Sequence, residues 1–209
     1  MSNEEQFTRG ERTRQAILDA AEQLFLEQGY HATSMRQIAT QAGIAVGGIY
    51  NHFAGKEAIF VALLEQHQPY TDILTGLAGL PDADLATLIE SAARLVTQGL
   101  MDDPVFIRLV LIDIQEFQGH TLLELANRVG PALLAFVGQV VASGQIRPEI
   151  LPPVLMRTFA SIVVFYALSQ SVLLTRGTTV FGWPPADELD WIGGMIDVFL
   201  NGVLRKSET

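Results

Sequence analysis

The sequence predicts an all-α protein: an N-terminal three-helix bundle with a helix-turn-helix, joined to a larger helical domain. Three observations carry that expectation. Apolar residues recur at three- and four-residue spacing between glycine and proline punctuation. No stretch shows the polar–apolar alternation of a strand, and there is no repeat or low-complexity tract. Near the N-terminus two short helical patterns flank Gly43, and the second opens on the adjacent pair Gly47-Gly48.

The first helix is expected over Thr13–Phe25, where Ile17, Ala20, Ala21, Leu24 and Phe25 form one apolar face. Gly29 ends it, and Tyr30 just beyond packs back as residues after a glycine cap do. The next runs from Thr33 to about Ala42. Ser34 and Gln37 have capping-box spacing, and Thr33 is an equally placed cap. Met35, Ile38 and Ala39 face inward while Arg36, Gln37 and Gln41 stay outside. Gly43 supplies the turn, and Ile44 plugs the angle to the following helix.

The stretch IAVGGIYNHF then sets the two smallest side chains beside large ones. Glycine costs helix stability, about 1 kcal/mol per residue against alanine. A helix entering a DNA major groove has a use for that cost, because it must be narrow where it meets backbone and bases. Ile49 and Phe53, four apart, would hold it to the core. A fourth helix starts near Gly55, with Ile59, Phe60, Leu63 and Leu64 inward. Lys56 lies in its first turn, where the macrodipole disfavours a cation and a phosphate would be welcome.

Gly10–Leu64 closely resembles the DNA-binding domain of the TetR family of transcriptional regulators. The resemblance implies an all-helical homodimer whose N-terminal domains read a palindromic double-stranded DNA operator, usually to repress, and whose C-terminal domain receives a small-molecule effector. It implies DNA-facing roles for Thr33, Ser34, Arg36, Gln37, Ala45, Val46, Gly47, Gly48, Tyr50, Asn51, His52 and Lys56. Thr33 and Lys56 stand at phosphate-binding positions, Gly43 at the turn glycine, Tyr50 at the recognition-helix tyrosine and Phe53 at the buried aromatic. Three positions depart from the family pattern. Ala45 replaces a frequent serine cap, Val46 a polar or basic residue, and Gly48 a frequent threonine. Operator preference therefore does not carry over. The expected organisation is a flexible tail over residues 1–9, the DNA-binding domain over 10–65, and the effector and dimerisation domain over 66–209.

In the larger part, Leu85, Leu88, Ile89, Ala92, Ala93 and Val96 mark a helix before Gly99. Pro104 opens another, through Phe117. A longer one is expected over Thr121–Ser143, interrupted or bent at Gly130-Pro131, and Gly144 closes it. Two further helices follow, from Val154 to about Leu174 and from Asp187 to Leu204. Pairing these last two across a two-fold axis would make a four-helix bundle. Ile162, Phe165, Tyr166, Ser169 and Leu173 form one stripe, and Trp191, Met195, Val198 and Phe199 the other. An effector site is expected from aromatic and embedded polar residues: Phe106, Arg108, Asp113, Glu116, Phe117, Phe136, Tyr166, Gln170 and Trp183. Without a basic cluster there, a largely apolar effector fits better than a phosphate or nucleotide.

Composition bounds the rest. With no cysteine among 209 residues, disulfides, thiol nucleophiles and thiolate metal sites are excluded. His31 and His52 have no ligand spacing around them, so no metal or other cofactor is expected. The opening MSNEEQFTRGERTRQ lacks the apolar core of a signal peptide. The oily Ala160–Gln170 stretch, continuing through Leu174, falls short of the roughly 20 residues of a membrane span. A cytoplasmic protein with no membrane partner is expected. The net charge of −10 argues against extensive nucleic-acid contact, so DNA binding should be local and salt-sensitive. Two other classes compete: a helical protein-interaction module without specific DNA binding, and an enzyme using Asp113 and Glu116, which sit three apart in an apolar helix. No Glu-x-x-His pair or nucleophile elbow accompanies the two carboxylates.

Overall fold

A computed structural model describes residues 8–80, 83–173 and 189–204. The fold is all-α. Its helices are α1 (Arg9–Gln28), α2 (Met35–Gln41), α3 (Val46–Ile49), α4 (Lys56–His67), α5 (Tyr70–Ala78), α6 (Leu85–Asp102), α7 (Pro104–Phe117), α8 (His120–Ala142), α9 (Pro152–Leu168) and α10 (Trp191–Val203). They group into two compact units. One comprises the chain up to Gln68 with Arg108–Leu125, the other Pro69–Ile107 with the chain from Ala126 onward. Division by chain order would give Arg108–Leu125 to the larger domain; by packing they belong with the N-terminal helices.

In the first unit, α1 begins at Arg9, four residues ahead of the expected Thr13. The Thr8 hydroxyl accepts the Glu11 N–H at 3.2 Å while the Glu11 carboxylate accepts the Thr8 N–H at 2.6 Å, a reciprocal cap. Those bonds hold the Glu11 carboxyl below the usual carboxylate range. Gly29 ends the helix at φ 90°, a conformation that favours glycine. Ser34, not Thr33, caps α2, through the reciprocal bonds with Gln37 that the spacing anticipates. The core is aromatic: Phe25, Tyr30, Phe60 and Phe117 meet with centroids 4.9–6.1 Å apart.

The second unit is built on α6, with α5, α9 and α10 packed against it. Leu85, Ile89, Ala93, Val140, Ile146, Leu155, Val163, Ile192, Ile196, Phe199 and Val203 form its main core. The apolar pattern of α6 predicts an end before Gly99, but the helix continues to Asp102. The glycine serves packing: a Cβ there would lie 2.8 Å from Ile73 Cγ1, and one at Gly76 would lie within 3.2 Å of Leu95 Cγ. This close crossing seats α5, a helix the pattern reading missed. α8 runs unbroken through Pro131 rather than being interrupted. α9 ends at Leu168 and gives way to a π-helical turn over Ser169–Leu173, where the Ser169 hydroxyl donates to the Tyr166 carbonyl at 2.8 Å. Because the helical stretch begins at Pro152, residues Pro152–Ser171 reach the length and composition of a membrane span, contrary to the shorter sequence estimate. In this fold Leu155, Val163 and Ala167 of that stretch are buried in the protein.

Candidate nucleic-acid interface and effector cavity

The recognition surface follows from what α3 buries. Ile49 and Phe53 are fully or almost fully buried, and Arg14 covers the Phe53 ring with its guanidinium 4.8 Å from the centroid. With those anchors inward, the other face turns outward: Tyr50 is 54% exposed and Val46 40%. Ala45, Gly47 and Asn51 are also exposed, while Gly48 and His52 are half-buried. Ala45 starts α3 without a side-chain cap.

Neither recognition glycine is required by the fold. Gly47 and Gly48 lack a positive φ, and a Cβ on either would have open space within 4 Å. Gly43, by contrast, sits at φ 69° in the turn. Beside α3, Ser34, Arg36 and Gln37 join Leu24, Thr40 and Gln41 around a shallow cleft of about 340 Å³.

Two of the expected phosphate residues also work internally. Thr33 is buried; its hydroxyl donates to the Gly29 carbonyl at 2.9 Å and accepts from the Gln28 amide at 3.1 Å. The Lys56 ammonium donates to the carbonyls of Tyr30 (2.6 Å) and Thr33 (2.8 Å) and lies 4.1 Å from the Tyr30 ring centroid. Burial pushes the Lys56 pKa below the usual lysine value, against the opposing pull of Glu116. Burial, then Glu57 and Glu116, raises the Tyr30 phenol. One side of the recognition unit is thus fastened to the turn after α1 through Lys56.

The residues expected to line an effector site do not gather in one place. Arg108, Asp113, Glu116 and Phe117 belong to the first unit. Arg108 donates to the Leu26 carbonyl at 3.0 Å, and Glu116 pairs with His31 at 2.6 Å. Asp113 is fully buried, and its Oδ2 accepts the Leu122 N–H in the first turn of α8 at 3.0 Å. The two carboxylates of the enzyme reading therefore serve separate structural contacts. Phe106 is buried in the second unit against Tyr70, centroids 6.0 Å apart. Tyr166 and Gln170 are half-buried, and Trp183 lies outside the described residues.

The second unit does hold a cavity, of about 60 Å³, bounded by Leu77, Ile89, Ala92, Val96, Leu133, Phe136, Val137, Val140, Leu155, Met156, Phe159 and Phe199. Phe136 is the one expected effector residue among them. Most of the others were legible only as helix-face core positions, because periodicity marks which side is buried and not where packing is incomplete. The same unit also has an open cleft of about 650 Å³, lined in part by Asp72, Arg94, Thr97, Gln98, Asp102 and Tyr166. Asp190 and Glu90 engage Arg94 at its edge, raising the guanidinium pKa.

Of the expected dimer residues, Phe165 is 63% and Val198 74% exposed. Ile162, Tyr166, Ser169, Trp191 and Met195 are half-buried. Phe199 is turned inward, its ring 6.1 Å from Phe159, so on α10 it supports the protomer's own core. Leu173 lies in the π-helical turn.

A glycine-turned pair of short helices with an exposed recognition tyrosine defines a helix-turn-helix DNA-binding protein. The model for bacterial regulatory proteins of the tetR family matches residues 17–63, spanning α1 to α4. The N-terminal domain is thus of the TetR family kind, and the match is confined to it. It is similar to the HTH-type transcriptional regulator UidR of Escherichia coli, 26% identical over 149 residues, which are 70% of this chain and 74% of that protein. It is also similar to the HTH-type transcriptional repressor AcnR of Corynebacterium glutamicum, 27% identical over 192 residues, covering 88% and 92% of the two chains. Among solved structures, NalD, the secondary repressor of the MexAB-OprM multidrug efflux pump in Pseudomonas aeruginosa, superposes with a TM-score of 0.68 at 24% identity, over 95% of this chain and all of that one. That likeness extends the fold to the C-terminal region. The class these similarities define is that of DNA-binding transcriptional regulators. No group of three or more metal-ligating side chains occurs among the described residues.

Proposed function

We propose that the chain is a homodimeric, cytoplasmic repressor that leaves a palindromic operator when a small, largely apolar effector binds its second unit. The observation that carries the DNA-reading part is the Gly47-Gly48 pair, which neither backbone conformation nor internal packing demands. Destabilising residues left unexplained by the fold are explained by close approach of a partner. Tyr50 and Asn51 then reach phosphate or base edges, Val46 offers an apolar contact suited to a thymine methyl, and Ser34, Arg36 and Gln37 contact the backbone. Lys56 has a third N–H beyond its two internal bonds, available to a phosphate. Thr33 acts by fixing the turn.

AcnR is named a repressor and NalD is described as one, which favours repression over activation here. The exposed apolar residues Phe165 and Val198 favour an interface through α9 and α10. Effector binding would favour a head spacing that no longer matches successive major grooves, and operator affinity falls by linkage. Selection of duplexes from a random pool by the purified protein, at low and moderate salt, tests the reading. An enriched palindrome supports it. No enrichment over random DNA would leave a helical protein-interaction module, in keeping with the net charge of −10.

A further inference from the structure

We infer that the cavity of the second unit is a hydrocarbon-chain site, taking the unbranched aliphatic part of an effector and opened by the segment of α8 that follows Gly130-Pro131. This rests on the regulator reading above and narrows its effector.

The chemistry of the walls decides the class. Every lining residue is apolar, and no polar atom faces the space. A hydroxyl, amide or charge placed inside would lose its water and find no partner. A methylene loses nothing by entering, and each one buried tightens binding about four-fold. The polar groups that might have oriented a functionalised molecule, Arg108, Asp113 and Glu116, belong to the other unit and are engaged there. Any polar end of the effector must therefore remain outside the cavity.

The volume decides the mechanism. About 60 Å³ is far below the roughly 300–1,000 Å³ of a site for a drug-sized ligand. A chain longer than its first few carbons enters only if a wall moves. On one side Ile89, Ala92, Leu155 and Phe199 are buried in the core. On the other, Leu133, Phe136 and Val137 of α8 are only half-buried although they face the cavity. Just upstream, Pro131 has no N–H to give the Asn127 carbonyl, and Gly130 adds backbone freedom. α8 is weakest where a swing would carry those three side chains outward. Met156, unbranched and adaptable, accommodates the entering chain from α9. The opening residues of α8, up to Leu125, group with the first unit and lie outside the cavity lining.

The test uses the full chain with straight 1-alkanols from butanol to dodecanol, and α,ω-diols of equal length as controls with two polar ends. Calorimetric titration measures binding, and operator release is followed on the selected duplex. Affinity should rise about three- to four-fold per methylene up to a limiting length, with the diols at least about ten-fold weaker. Val96→Phe, which fills the cavity, should abolish alkanol binding. Leu133→Ala, which enlarges it, should move the limiting length up by about two carbons. Gly130→Ala places its Cβ in open space and should weaken alkanol binding several-fold by stiffening α8. Affinity independent of chain length, diols binding as tightly as alkanols, or a folded Val96→Phe protein with parental affinity would each overturn the inference. Operator selection without alkanol binding refutes the chain site and leaves the regulator standing. Alkanol binding with the expected length profile but no operator selection does the reverse.

Discussion

The two units differ in how their cores are filled. Around Phe60 the N-terminal unit interlocks four aromatic rings, with Phe60 fully buried and stacked on Phe117 at 4.9 Å. The second unit is largely aliphatic, and its core leaves a void along α8. On the function proposed above, a head that offers Tyr50 and Asn51 to DNA needs one geometry, which a close-packed core enforces. A receptor must yield to a ligand, and incomplete packing beside a weakened helix is how a core yields. The same contrast appears in the glycines. Gly47 and Gly48 have open space where a side chain would stand, whereas Gly76 and Gly99 are consumed by the α5–α6 crossing.

That contrast can be broken most sharply at Phe60. Phe60→Ala should cost about 3–5 kcal/mol by removing a ring that several others touch. Chemical denaturation measures it, and a loss under about 1 kcal/mol would mean the aromatic core is not the rigid element described. Next in size, Gly99→Val should destabilise by about 2 kcal/mol, because its side chain collides with Ile73. For a chain of this length that lowers Tm by roughly 4–8 °C.

Gly48→Ala should reverse that sign. Its Cβ enters open space and helix propensity improves, so stability should hold or rise by up to about 1 kcal/mol. Operator affinity should nonetheless fall about ten-fold or more, equivalent to about 1.4 kcal/mol. Band-shift titration beside a melting curve reads both. Unchanged affinity would place the DNA elsewhere.

A smaller effect is expected at Lys56. Lys56→Met keeps the stem over Tyr30 but removes the ammonium, so specific and random duplexes should weaken alike and the salt slope should drop by about 1. Some stability should also be lost, because the bonds to the Tyr30 and Thr33 carbonyls go with it. An unchanged slope with reduced Tm would make Lys56 purely a fastening of the turn. Smallest of all, Tyr50→Phe should weaken operator binding several-fold, about 1 kcal/mol, with no change in stability at an exposed side chain.

Much of the DNA-binding half was legible from residue order. Ser34 and Gln37, Gly29, Gly43, Ile49 and Phe53 act as their spacing indicates, because caps, turns and helix faces are decided by residues within a few positions of one another. The same locality explains what was missed at the start of α1, where Thr8 and Glu11 form a readable cap ahead of the apolar pattern. In the C-terminal half the apolar periodicity located most helices but misjudged Gly99, since a glycine that ends a helix and one that admits Ile73 look alike until the partner helix is known. The residues expected at an effector site show the limit most clearly. Asp113 and Glu116 were legible as polar groups in an apolar helix, yet only folding determined that one accepts an N–H at the start of α8 and the other pairs with His31. By itself the sequence determined the fold class, the likeness of the N-terminal domain to the TetR family and the position of α3, each written in contacts a few residues apart. The cavity and the partners of the embedded polar groups were decided by tertiary packing, because voids and hydrogen bonds between helices depend on how those helices are set against one another.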